Sequence, residues 1–427
     1  MRKIMLRGLT LALLVLLATP TFAGLSPQRL AQLASEEQTL TFVLVDERSS
    51  LDGIARNVLA LGGRIVVAAG EHILLVHLAP GDDAALRTLP HVQVSTQRLN
   101  EANRVKHADP HVALALSYMR WVKSGARRKF YQDGADAKAP AGPPDAIAPP
   151  DVPQSKALRV AADSVRALYD NDAMNNVLVS AILAESNGQA DLNEFSWTSG
   201  DYQLAFGQVC DGLNFWGDHG WPYGKQGYYQ VIFYSPFYNT EVNQPYEPIR
   251  HPLMSSPGVL GWQLWAGAIM SNMGYNQSDY FDRVRAFNSA QMSRFGTQHA
   301  VTIFMAYNRS GPGQFTDGYS AVSYLGGPHL LTPFLPWGDG SLLPATVAHE
   351  YAHQFWACDE YSQPGYFVCS CDLCYTFGPH TNLHNDNCEV PSCNAAPADC
   401  IMRATSNDNF NNFHVCNTTL RQIGWLP

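Results

Sequence analysis

Residues 349–361 read HEYAHQFWACDEY, and their spacing fixes more about this chain than any other stretch. His349 and His353 stand four apart. On a helix that puts both imidazoles on one face, one turn apart, able to grip a single metal ion. The preceding residues favour a helix. Ser341 can cap it, Pro344 suits its first turn, and Val347, Tyr351 and Phe355 repeat at i+4 as a buried stripe. Glu350 would project beside the ion. There it can take a proton from water activated by Zn2+ and pass it to a leaving amine. A surface helix with two ordinary histidines would match the same five residues, but the apolar flanks argue against it.

A third ligand must come from beyond the helix. Along a straight helix Asp359 would lie roughly 15 Å from His349, so it reaches the ion only if the chain folds back. Glu360 is its rival, and His380 and His384 are lesser candidates. His251, His299 and His414 need no role beyond ordinary polar contacts.

The stretch resembles the motif of the metzincin zinc peptidases, HExxHxxGxxH followed by a methionine turn. Carried over position by position, the third ligand falls on Asp359. The sequence is thus similar to the variant, found in snapalysin-type enzymes, in which aspartate replaces the last histidine. Carboxylate is an acceptable zinc ligand. The glycine that turns the metzincin chain is Trp356 here, and a bulky residue costs about 1–2 kcal/mol in a left-handed conformation. Either that strain is accommodated, with Cys358 pinned by a disulfide, or the turn differs and Glu360 becomes the ligand. Residues 399–403 (DCIMR) resemble the methionine turn, with Met402 under the metal. The tyrosine that some metzincins carry two residues after this methionine is Ala404 here. The resemblance covers residues 175–427 and implies a catalytic domain with a mixed sheet above the zinc helix.

Upstream, residues 40–96 read as strand, helix, strand, strand, helix, strand. Leu40 to Val45 is an apolar run, Leu51 to Leu61 has helical spacing and stops at Gly62-Gly63, and Arg64 to Ala69 and His72 to Leu78 are β-rich around Gly70-Glu71. Asp82 to Leu89 is a short helix stopped by Pro90, and His91 to Ser95 closes the set. That order suits a small ferredoxin-like βαββαβ unit and resembles pro-segments that fold against secreted peptidases. The expected class is α+β: this small unit followed by the metzincin-like domain. A helix from about His111 to Lys123 leads into residues 134–154, rich in Ala, Pro and Asp, which read as a linker. Beyond it, Asn176–Leu183, Tyr228–Phe237, Ala300–Ala306 and Tyr319–Leu325 read as strands. Tyr202–Trp216, Leu260–Met273 and Ser278–Phe295 read as helices. Gly318 to Gly327 could form an edge strand against which a peptide pairs. The expected divisions are 1–23, 24–104, 105–156 and 157–427.

Arg2, Lys3 and Arg7 before the apolar run Leu9–Ala18, with Thr21-Phe22-Ala23 after it, read as a secretory signal. No other run is long enough for a membrane helix. The nine cysteines agree with export: eight lie between Cys358 and Cys416, which reads as a disulfide-stapled region, and Cys210 stands alone. None lies between residues 24 and 209, so no pro-segment thiol can cap the zinc. A net charge of −9 without a basic stripe leaves no footprint for nucleic acid. The expectation is therefore a secreted or periplasmic, monomeric zinc endopeptidase acting on protein or peptide. The competing readings are a non-catalytic exported binding protein on a peptidase fold and a zinc amidase acting on cell-wall material.

Overall fold

The computed structural model describes residues 27–46, 51–102, 104–105, 109–133, 176–225, 229–254, 260–309, 311–338, 342–362, 369, 371, 383–390, 392–393, 397–403 and 414–426. The signal segment, the linker, Ser341, Cys374, His380 and Ala404 lie outside these residues.

The first described element is α1 (Pro27–Thr39). It runs into β1 (Leu40–Val45), α2 (Leu51–Ala60), β2 (Arg64–Ala69), β3 (Ile73–His77), α3 (Asp83–Arg87) and β4 (Val92–Thr96). Three helices follow: α4 (Leu99–Ala102), α5 (Pro110–Lys123) and α6 (Ala126–Asp133). α5 starts where the sequence allows it, with Asp109 accepting from the His111 amide and Pro110 in the first turn. After the linker come β5 (Val177–Ser186), α7 (Ser199–Gly220), β6 (Tyr229–Tyr234), β7 (Asn243–Gln244), α8 (Gly261–Asn272) and α9 (Tyr280–Phe295). α9 is closed at one end by Asp279 and at the other by Gly296 in the left-handed region. The remaining elements are β8 (His299–Ala306), β9 (Val322–Ser323), β10 (His329–Pro333), α10 (Leu343–His353) and α11 (Asn417–Gln422).

The ten strands make a mixed sheet in the order β4-β1-β3-β2-β6-β5-β8-β10-β9, with β7 beside the end of β5. The first four pair antiparallel throughout. From β2 to β10 all pairs are parallel, and β9 returns antiparallel at the edge. The chain is thus α+β with a mixed sheet. The N-terminal strands are not free-standing, because Ala68 and Ala69 of β2 pair with Gln230 and Val231 of β6.

Alternation along the strands sorts the core onto two faces. Leu40, Phe42 and Leu44 of β1, Val177, Val179, Ala181 and Leu183 of β5, and Val301, Ile303 and Met305 of β8 share one core with α5, α7 and α10. The other face is covered by α2 and α3 beneath the N-terminal strands and by α8 and α9 beneath β5 and β8. α7 and α10 approach closely because Gly212 leaves room: a Cβ there would sit 2.7 Å from the Pro344 carbonyl and 2.9 Å from Val347 Cβ. The Trp216 indole donates to the Ala348 carbonyl at 2.9 Å across the same seam.

A buried polar network ties the N-terminal helices to α7. Arg127 of α6 bonds Glu36 of α1 at 2.5 Å and Asp211 of α7 at 3.0 Å. Tyr118 and Tyr131 donate to Asp211 at 2.8 and 2.6 Å. Burial pushes the Glu36 carboxyl up, but Arg127, with His77, Arg29 and Arg64 behind it, outweighs that and holds it at about 2.

One expected strand needs correction, and one strand is new. The strand expected over Tyr319–Leu325 is only Val322–Ser323, because Gly326 turns the chain with φ at +63°. The strand beyond it, β10, was not anticipated.

Candidate metal centre

α10 carries His349, Glu350 and His353 on its buried side, and all of its residues are buried. Pro344 lies in the first turn as expected, but the cap position is Leu342, with no side-chain bond. Helical spacing brings the two imidazoles to 4.9 Å between ring centres. The chain then reverses. Trp356 adopts φ +75°, its amide donates to the His353 carbonyl at 3.0 Å, and the next amide, Ala357, reaches back to Ala352 at 3.2 Å. This is the hydrogen-bond pattern of a Schellman turn, with tryptophan where glycine is usual. The turn is held from outside by Gly326, whose amide donates to the His353 carbonyl at 2.9 Å and whose missing side chain leaves space for the Trp356 indole.

The reversal delivers Asp359 to the histidines. Its Oδ1 lies 2.9 Å from His349 Nε2 and 3.3 Å from His353 Nε2. One donor atom from each of the three residues falls within 4.8 Å of the others. The far side of each imidazole is fixed: His349 Nδ1 faces the Ile401 carbonyl at 2.9 Å and His353 Nδ1 the Ala357 carbonyl at 2.7 Å. A carbonyl only accepts, so Nδ1 carries the hydrogen on both rings. In each ring Nε2 is then the atom left to face Asp359, and in the neutral form it carries the lone pair that a metal would take. Burial lowers His353, but the Asp359 carboxylate outweighs it and lifts this imidazole to about 9. Burial raises Asp359, but His353 and His349 hold it far below the usual carboxylate range.

Glu350 follows the first histidine and is buried. Its Oε2 has no hydrogen-bond partner among the described residues. Burial raises its pKa, while His349 and His353 pull the other way. A buried carboxylate oxygen left open beside a convergent donor set is costly unless something occupies the space.

Glu360 does not join this group. Its Oε2 accepts from Asn387 at 2.7 Å, and its Oε1 accepts from Thr419 at 2.9 Å and from the Cys416 thiol at 3.0 Å. Met402 is fully buried in a short 3-10 turn, Ile401–Arg403, whose Ile401 carbonyl holds His349. His384 is exposed and outside the cluster.

Sequence reasoning passed over Tyr361. Its ring lies 6.0 Å from that of His349 and its hydroxyl hydrogen-bonds Asp359. Asn385 also holds Asp359, donating to its backbone carbonyl at 2.7 Å. Two disulfides, Cys369–Cys388 and Cys371–Cys393, staple the segment that supplies Asn385 and Asn387, and Cys358 is disulfide-bonded as well.

No protein-family model, curated protein or solved structure matches the chain. No helix among the described residues is long and apolar enough to cross a membrane.

Proposed function

We propose that this chain is a secreted or periplasmic zinc-dependent endopeptidase of metzincin-like build, with His349, His353 and Asp359 as the metal ligands. One observation carries the reading: three donor atoms within 4.8 Å of one another stand beside a buried carboxylate oxygen that has no hydrogen-bond partner among the described residues. Two imidazoles and one carboxylate form a common catalytic zinc set, and such a set leaves a position for water. Zinc bound there would acidify water and polarise a scissile carbonyl.

The protein groups have separate tasks. Glu350 accepts the proton of the attacking water and returns it to the leaving nitrogen. Its burial raises its basicity toward that role. The Ile401 and Ala357 carbonyls fix the tautomers of the two histidines, and Tyr361 and Asn385 orient Asp359. β9 is the last strand of the sheet, and an extended peptide could add to its open side. The strand order β4-β1-β3-β2 supports reading the N-terminal strands as a ferredoxin-like unit docked on the catalytic part.

The test is hydrolysis of casein and of cell-wall peptidoglycan by the purified chain, with and without chelator, beside Glu350→Gln. The reading expects chelator-sensitive casein cleavage in the wild type and a loss of at least about 100-fold in the variant at unchanged zinc content. Cleavage of peptidoglycan alone would make it an amidase. Zinc binding without any turnover would make it a binding protein.

A further inference from the structure

Behind Glu360, two thiols face each other. Cys400 ends the segment leading into the methionine turn, and Cys416 precedes α11. Their sulfurs and a Glu360 carboxylate oxygen lie within 4.8 Å of one another. The Cys416 amide points at Cys400 Sγ at 3.3 Å, and the Ile401 amide donates to the His414 carbonyl at 2.8 Å, so the two backbones already run side by side. Cys369, Cys388, Cys371, Cys393 and Cys358 are bonded, whereas Cys400, Cys416 and Cys210 are free. Cys210 is buried in the α7 core.

We propose that Cys400 and Cys416 are a further cross-linking site, joined as a disulfide in an oxidising compartment, and that the bond clamps the turn that positions His349. The oxidant is a dithiol–disulfide exchange partner, small molecule or protein. One cysteine thiolate attacks its S–S bond and expels one thiol. The second cysteine thiolate then attacks the mixed disulfide and expels the other. The chain loses two electrons and two protons, and the partner is reduced to two thiols.

A metal at these residues is the weaker reading. Structural zinc takes four ligands, commonly cysteine and histidine, and among the described residues three donors gather here. Both Glu360 oxygens are also already engaged by Asn387, Thr419 and Cys416.

The bond would matter to the first site because Cys400 precedes Ile401, whose carbonyl holds His349 Nδ1, and because the Glu360 amide donates to the Met402 carbonyl at 2.9 Å. Cys400 and Cys416 would act as positioning residues. This half rests on the proposed metal reading; the cross-link itself does not.

The test is a non-reducing peptide map of the full chain, alkylated before digestion, followed by zinc titration of wild type and of Cys400→Ser/Cys416→Ser. The expected map joins the two peptides and finds Cys210 labelled only after unfolding. Alkylation of both Cys400 and Cys416 in the untreated chain overturns the cross-link. So does a second zinc equivalent that shields both thiols until chelation. The map needs no variant, so misfolding of the double serine chain cannot rescue the idea. In the titration, the double serine variant binds zinc about tenfold more weakly than wild type. Equal affinities overturn the positioning role. If wild type binds no zinc, the metal reading fails and the map still decides the bond.

Discussion

Trp356 occupies the left-handed region at φ +75°, where a side chain of its size costs about 1–2 kcal/mol. The strain persists because the indole packs into the space left by Gly326, and the reversal it allows brings Asp359 onto His349 and His353. Gly326→Ala should therefore disturb the metal centre from a distance. A Cβ at that φ is strained and overlaps the indole, so we expect a loss of at least about 1–2 kcal/mol in denaturant unfolding together with weaker zinc binding. Tyr361→Phe removes one hydrogen bond from Asp359 and should weaken zinc about tenfold without unfolding the chain, measured by competition with a chromogenic chelator. Unchanged affinity would mean that the tyrosine does not orient the ligand. The histidines and Glu350 could be read from the sequence because helical period alone places them. Asp359 could not, since period predicts roughly 15 Å of separation and only the carried-over motif placed it at the ion. Tyr361 gave no signal, because its role exists only after the chain has folded back.

α10 keeps its place through the seam with α7, where Gly212 faces Pro344 and Val347. Gly212→Ala drives a methyl into that seam and should destabilise the fold by about 1–3 kcal/mol, read from the shift of the unfolding midpoint. The Glu36–Arg127 pair makes the helix contacts sensitive to acid. The folded-state pKa of Glu36 is depressed to about 2, so its contribution is present above the unfolded value near 4.5. That contribution is lost as pH falls from about 4.5 to about 2, a change of about 3 kcal/mol. Glu36→Gln should flatten the stability profile across that window, and an unchanged profile would remove the pair from the account. Many elements were legible from the sequence, since unbroken apolar runs mark β5 and β8 as strands buried on both faces. α1, α4, α6, β7, β10 and α11 were not. α1 is too polar to show an apolar stripe, and β10 is five residues flanked by prolines. α7 was read short at its C-terminal end, where Gly217 interrupts the pattern, while Gly212 within it is what lets it meet α10.

At the scale of the molecule, the β2–β6 pairing makes the N-terminal strands part of the sheet that carries the site. Their apolar side chains share the core of α5, α7 and α10. Expression without residues 24–133 should therefore give insoluble chain, because the edge of β6 and the faces of α7 would be bared. A soluble, zinc-loaded remnant with full activity would show instead that the N-terminal unit is dispensable. The sequence showed the order of those strands but not their partner, since pairing across a long linker leaves no local pattern. The account as a whole depends on which side chains hold the ion. X-ray absorption at the zinc edge on the loaded, full-length protein reads this directly. The account predicts nitrogen and oxygen scatterers at about 2.0–2.2 Å, two of them imidazole, and no sulfur. A sulfur shell at about 2.3 Å would place the metal at Cys400 and Cys416 and contradict it.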